Sequence, residues 1–354
     1  MTKAELDNRK ILPLEDSWYR RVKEKLDGIA KPLDGLGKFE HLIAQIGAIE
    51  KTTKISIQKK AVLVMCADNG VVEEQVSQSG KEVTLAVAKA MGVNNSSVGK
   101  MAAVAGVDVI PVDIGIDTDE VIPGVLPRKV AKGTKNFAKE PAMTEEEVLK
   151  AIETGIQLVQ QCHREGYEIL ATGEMGIGNT TTSTAVAAAF LDLEVEQVTG
   201  KGAGLTDEAL KRKCRVIEEA IEKYSLRDAD AFTILKTVGG LDIAGLTGVF
   251  IGAAIEQIPV VIDGVISAVA ALLAETLCKG AVNYMIPSHK SRELAETAIM
   301  KKLHLDPVLD ADMALGEGTG AVMMMSLLDV ALGVYLQGAS FANFEIEQYK
   351  RYEE

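Results

Sequence analysis

Three glycine-rich stretches hold the residues best suited to chemistry. The first is Gly173-Glu174-Met175-Gly176-Ile177-Gly178-Asn179-Thr180-Thr181-Thr182, which follows an apolar run and leads into the small-residue helical pattern Ser183–Phe190. Glycines there leave backbone N–H groups free to close around an anion. A helix start adds partial positive charge, and Asn179, Thr180 and Thr181 can donate further hydrogen bonds. The stretch is not a P-loop, because no lysine follows its last glycine, and it is not GxGxxG. A plain helix start would share much of this composition. The second stretch, Gly200-Lys201-Gly202-Ala203-Gly204, precedes a helical pattern bearing Lys213. Lys201 or Lys213 could supply a fixed cation for a phosphate dianion, although a lone lysine suits a solvated surface equally well. The third is Leu315-Gly316-Glu317-Gly318-Thr319-Gly320-Ala321. A carboxylate between glycines, just before an apolar helix, could reach into a cleft as a general base or could stabilise the helix N-terminus. A fourth, weaker segment, Asp68–Thr84, supplies a polar loop that could form one wall of a cleft.

Short β-branched runs must position these loops. They fall at Ala61–Ala67, Val107–Val112, Glu168–Ala171, Phe232–Thr237, Val260–Ile262 and Val282–Ile286, separated by helix-length amphipathic segments. That alternation predicts an α/β fold with a parallel sheet of about six strands, flanked by helices and wound by crossovers. Thr144 with Glu147 makes a capping box at one helix start. Asp207–Tyr224 and Arg292–Leu303 have helical spacing, and Val83–Ala105 reads as two helices broken around Gly92-Val93-Asn94-Asn95. Polar loops follow the runs: Asp68-Asn69-Gly70, Asp113-Ile114-Gly115, Gly173-Glu174, Gly239-Gly240-Leu241-Asp242, Asp263-Gly264 and Ser288-His289. Ligands of open parallel sheets bind at the carboxyl edge, where these loops would converge. The ends differ in character. Helical patterns at Trp18–Ile29 and Phe39–Ile49, with a long apolar helix after Glu317, suggest a small helical domain from residues 1–55 and 317–354. It would sit beside a large domain of residues 56–316.

The chain has 354 residues, 47% of them apolar and 25% charged, with 32 glycines and only 4% aromatics. Small residues suit helices packed closely on a sheet. A formal charge of −13 disfavours nucleic acid and anionic membranes, whose phosphates need Lys and Arg. The cysteines Cys66, Cys162, Cys214 and Cys278 are scattered, and no histidine pair has a ligand spacing, so neither a disulfide framework nor a metal is expected. The polar N-terminus lacks a signal-peptide stretch. Ile258–Leu277 and Ala321–Gly338 are apolar enough to suggest membrane spans, but they carry Asp263 and Asp329, and a cytoplasmic protein without cofactor is the simpler expectation. A nicotinamide-dependent oxidoreductase would need GxGxxG after the first strand and an acid about 20 residues on, neither of which is present.

Gly173–Thr181 (GEMGIGNTT), Lys236–Ala244 (KTVGGLDIA), Pro259–Gly264 (PVVIDG) and Leu315–Ala321 (LGEGTGA) together resemble the nicotinate-nucleotide–dimethylbenzimidazole phosphoribosyltransferase family, known as CobT. Lys31-Pro32-Leu33, Leu36-Gly37 and Asp68–Val71 also fit, so the likeness runs along nearly the whole chain. The resemblance implies a Rossmann-like large domain and a homodimer. It further implies transfer of the phosphoribosyl group of nicotinate mononucleotide to 5,6-dimethylbenzimidazole, for the lower ligand of cobalamin-type cofactors. It places the family's catalytic glutamate on Glu317, with Glu174 as a second catalytic carboxylate. Gly176, Gly178, Asn179, Thr180, Thr181, Gly202, Lys213, Asp242, Asp263 and Ser291 would hold the nucleotide and its phosphate, and Ser77, Met175 and Leu315 would face the acceptor. The chain departs from the family pattern after its first strand. Gln75–Thr84 reads QVSQSGKEVT where the family has GVSAYPQ…VT, and Asn94-Asn95-Ser96-Ser97 replaces a Gly-Gly-Ala-Ala-like stretch. The first change bears on the acceptor, which in related enzymes is a benzimidazole, adenine or a phenol, some of them working as paired paralogous subunits. A non-catalytic or half-site subunit of such a pair is the alternative reading.

Overall fold

The computed structural model describes residues 1–202 and 204–351. Ala203 of the second glycine loop and the last three residues of the 317–354 segment lie outside the described residues. At the centre is a six-stranded sheet formed by β1 (Lys60–Ala67), β2 (Val107–Gly115), β3 (Leu126–Pro127), β4 (Ile169–Met175), β5 (Val260–Ile262) and β6 (Met285–Pro287). The strands run in the order β3-β2-β1-β4-β5-β6, and all pairings are parallel. The chain winds outward from β1 to β3, then returns to place β4 on the other side of β1. The switch point therefore lies between the carboxyl ends of β1 and β4, where open α/β sheets place their ligands. A separate parallel ribbon joins β7 (His289–Ser291) to β8 (Leu309–Met313).

Every residue of β1 is buried, as expected for a strand covered on both faces. Its side chains alternate: Ala61, Leu63, Met65 and Ala67 enter one core, and Val62, Val64 and Cys66 enter the other. The first core is completed by helices that approach closely through glycine. A Cβ on Gly155 would stand 2.1 Å from Gly245 O, and one on Gly248 would stand 2.0 Å from Ile152 O. These contacts clamp helix Glu145–Arg164 on helix Leu241–Glu256. The second core takes Val22, Leu26 and Ile43 from the N-terminal helices Asp16–Asp27 and Lys38–Ile49, with Met324 and Leu328 from helix Thr319–Gln337. Both chain ends thus meet on one face of the sheet. Helix Thr319–Gln337 is long and apolar enough to cross a membrane. Here it lies against the protein core, and its Asp329 pairs with Lys60 at 2.8 Å.

Two strand assignments are corrected. Phe232–Thr237 is helical, within Ala231–Val238, because Asp230 caps the run by accepting from Thr233 N at 2.9 Å. A short buried apolar run carries no periodicity that separates strand from helix. The sixth strand is instead Leu126–Pro127, at the sheet edge next to β2, where a proline costs no ladder bond. Val282–Ile286 begins as the 3-10 turn Ala281–Tyr284, and only Met285–Pro287 is extended. The Thr144–Glu147 capping box is present, and the break between helices Glu82–Gly92 and Ser97–Ala105 falls at Val93–Ser96.

Candidate active site

Glu174 and Met175 are the last residues of β4, and the chain then turns through Gly176–Gly178 into helix Asn179–Leu191. Gly178 takes φ +92 at the helix cap, a left-handed conformation that suits glycine. Gly176 lets the turn lie against β1, since a Cβ there would stand 2.6 Å from Ala67 O and 2.9 Å from Asp242 Oδ2. The side-chain amide of Asn179 donates to Glu174 and, at 3.1 Å, to Asp242. Burial pushes the Glu174 carboxyl up to about 8, with Asp242, Asp263 and Glu317 adding negative charge around it. Burial likewise raises Asp242 to about 6.

Glu174 also sets a pH dependence of stability. Its folded value lies above the ordinary 4.5, so its contribution is fully present below pH 4.5 and is lost as pH rises towards about 8. Replacing Glu174 by Gln should flatten the fall in melting temperature between those limits. An unchanged slope in a thermal-melt series across that range would show that Glu174 ionises freely.

From helix Asp207–Lys223, Lys213 donates to Thr180 Oγ1 at 3.0 Å and to Gly200 O at 3.2 Å. Its side chain is fully buried, and burial pulls its pKa down to about 8. Gly202 lies over the pair, where a Cβ would stand 3.1 Å from Thr180 Oγ1. Lys201 instead reaches Asp207 at 2.7 Å in solvent. Of the two lysines, Lys213 is the one built into the site.

The Glu317 loop is held from below by Asp263, just past β5. One Asp263 oxygen accepts from Gly320 N at 2.9 Å and Ala321 N at 3.1 Å, and the other from Gly318 N at 3.1 Å. The carboxylate thus caps helix Thr319–Gln337, which has no cap from its own flanking side chain. Burial raises the Asp263 pKa and depresses that of His289, while the charge of each favours ionisation of the other. Gly316, Glu317 and Gly318 all have positive φ (84, 62 and 89), and the loop rests on β4, where a Cβ on Gly173 would stand 2.6 Å from Glu317 O. Left-handed backbone at a glutamate costs of order 1 kcal/mol and persists where its surroundings enforce it. The Glu317 carboxylate accepts from Val98 N at 2.9 Å. Asp263→Ala leaves three amides without their partner and should destabilise the fold by about 2–4 kcal/mol, read from denaturant unfolding. A loss below about 0.5 kcal/mol would mean that the cap is dispensable.

These two loops face each other across a cleft that Ser291, Leu315 and Gly202 help to line. A family model described as phosphoribosyltransferase matches residues 11–346 of the chain. Nicotinate-nucleotide–dimethylbenzimidazole phosphoribosyltransferases of Acetivibrio thermocellus and Clostridium acetobutylicum are 44% and 43% identical to it over 329 and 337 residues. Those matches cover 93% and 95% of this chain, and 94% and 96% of the relatives. The chain belongs to this phosphoribosyltransferase family. The crystal structure of CobT from Thermus thermophilus superposes with a TM-score of 0.89 at 33% identity, covering 94% of this chain and all (100%) of that one. The six-stranded parallel architecture is therefore the family's fold, and the enzyme class is phosphoribosyl transfer.

Seen as a phosphoribosyltransferase cleft, the structure separates the expected site residues into three groups. Glu174, Met175, Gly176, Asn179, Thr180, Gly202, Asp263, Ser291, Leu315 and Glu317 line it. Gly178, Lys213 and Asp242 are outside the lining but in contact with the turn, while the Thr181 side chain is fully buried. Ser77 is not in the lining, and its hydroxyl accepts locally from Ser79 N at 3.4 Å. Sequence reasoning missed Ser267, Glu293 and His289 in the cleft wall. His289 was visible only as a strand-end residue. What brings it in is Gly320, whose missing side chain leaves room for the imidazole (a Cβ would stand 2.0 Å from Nδ1).

Proposed function

We propose that the cleft transfers the 5-phosphoribosyl group of nicotinate mononucleotide to an aromatic acceptor, 5,6-dimethylbenzimidazole or a related azole or phenol. The products are nicotinate and an α-riboside phosphate that serves cobamide biosynthesis. The observation that carries this reading is the opposition of Glu317, on its constrained loop, to the Gly176–Thr180 turn backed by the buried Lys213. Lys213, Thr180, Gly176, Gly202 and Ser291 anchor the phosphate, with Gly178, Asn179 and Thr181 shaping the turn. The pyridinium ring departs as a neutral pyridine, so its leaving needs no general acid. The acceptor nitrogen or oxygen attacks the anomeric carbon from the opposite face, forming the new bond as the nicotinate bond breaks. Glu317 takes the acceptor proton. Glu174, whose pKa burial raises in the free protein, lies beside the same ribose, where the cationic pyridinium and the charge developing on the sugar favour its ionised form and are balanced by it, while Asp242 and Asp263 hold the two loops.

Met175 and Leu315 offer apolar surface to the flat acceptor, and Ser77, the third residue expected to face it, stands outside the cleft lining. On this reading the large unit is residues 56–316, and 1–55 with 317–354 form the small helical one. The same reading places the enzyme in the cytoplasm, as a homodimer or paired with a paralogous subunit. Support for pairing comes from Val104, Val330 and Met323, exposed apolar residues on the two packed helices Ser97–Ala105 and Thr319–Gln337. The test is incubation of the purified chain with nicotinate mononucleotide and a panel of azoles and phenols. A riboside phosphate detected by mass, formed in step with nicotinate, is expected for at least one acceptor. Failure with every acceptor, alone and with a paralogous subunit, refutes the proposal.

A further inference from the structure

Glu317 sits 219 positions along the chain from Val98, yet its carboxylate accepts the Val98 amide at 2.9 Å. Val98 is the second residue of helix Ser97–Ala105, and its N–H is one of the four that no helix can satisfy internally. Ser96 caps the same helix by accepting from Gly99 N at 3.2 Å. The two caps therefore divide the work: a local serine takes one amide, and the candidate base takes its neighbour. The position of this helix start is itself fixed. Asn94 turns the chain with φ +54, Asn95 N donates to Ala90 O at 2.7 Å, and a Cβ on Gly99 would stand 2.9 Å from Asn94 C. Asn94, Asn95 and Ser96, in the stretch where the chain departs from its family's pattern, thus set where the amide points.

Resting on the proposed role of Glu317, we infer that the Val98 backbone amide is a positioning group, which holds the Glu317 carboxylate at the cleft edge in the orientation that meets the acceptor. The left-handed backbone at Glu317 leaves its side chain projecting from a constrained loop, so a second fixed point is what selects one rotamer. Asp263 fixes the loop's main chain, and Val98 fixes its carboxylate. A hydrogen bond to an ionised group is worth about one to two decades in the step that depends on it.

The test removes the amide, and a thermal melt of each variant separates lost packing of the buried Val98 side chain from lost positioning. Val98→Pro deletes the donor within the first helical turn, where proline costs no intrahelical bond. Ser97→Pro, at the exposed first position that favours proline, controls for the ring itself. We expect V98P to lower kcat about ten- to a hundredfold while KM for nicotinate mononucleotide changes less than about threefold. S97P should match the parent. In an E317Q background V98P should slow turnover no further, because the two act as one unit. Equal loss in both backgrounds, equal loss in S97P, or undiminished kcat in V98P would each overturn the inference. An E317Q enzyme with near-normal turnover would instead overturn the base assignment, and this inference with it.

Discussion

Glu317→Gln lowers kcat by about 10²- to 10⁴-fold, the usual worth of a positioned general base, and leaves KM for nicotinate mononucleotide within a few fold. The split arises because the substitution is nearly isosteric. Glutamine keeps an oxygen that can accept the Val98 amide, so the loop and its contact with Gly173 persist. The proposed phosphate anchor, the Gly176–Thr180 turn with Lys213 in contact with it, makes no use of the Glu317 carboxylate and is untouched. What is lost is the ability to accept a proton from the acceptor as the new bond forms. Steady-state kinetics with the acceptor saturating reads this directly. A variant with kcat within about threefold of the parent removes Glu317 from the reaction.

Lys213→Met produces the complementary loss. Lysine here is a buried cation touching Thr180 and Gly200, and methionine of similar length fills the volume without the charge. KM for nicotinate mononucleotide should rise about a hundredfold, since a charge-assisted bond to a phosphate is lost from a site shielded from water. Melting temperature should hold or rise, because a buried charge is exchanged for apolar packing. The pH dependence carries its own sign. With its pKa pulled down to about 8, Lys213 loses its proton as pH climbs through that value, so the parent's KM should increase there. The variant's KM should lose that rise and keep only the change that ionisation of Glu174 brings over the same range. A parent KM independent of pH across that range would place the phosphate elsewhere.

The parts of the site that announced themselves in the sequence are those where glycine is demanded by backbone geometry. Gly178, Gly316 and Gly318 take positive φ beside Asn179 and Glu317, so Gly176–Thr180 and Leu315–Ala321 are legible as loops from the sequence alone. Strand β1 was equally legible, because a strand buried on both faces is continuously apolar. The arrangement of the loops was hidden. Asp263 reads as one more acid after a strand, and only the sheet order brings it under three amides of a segment 55 to 58 residues away. The His289–Ser291 and Leu309–Met313 ribbon is polar along most of its length, with His-Lys-Ser facing Leu-Asp-Ala-Asp-Met, and offers no apolar run to a pattern search. The same gap explains Phe232–Thr237: its Asp230 cap was present in the sequence, but a run of that length fits either period.

The central claim is that a nucleotide lies between the Gly176–Thr180 turn and Glu317. A crystal structure of the E317Q protein with nicotinate mononucleotide and a bound acceptor tests it most directly. The phosphate should lie on Lys213 and Thr180, and the acceptor's reacting atom between residue 317 and the ribosyl C1. A phosphate bound away from Lys213, or residue 317 turned into bulk water with C1 out of its reach, would contradict it.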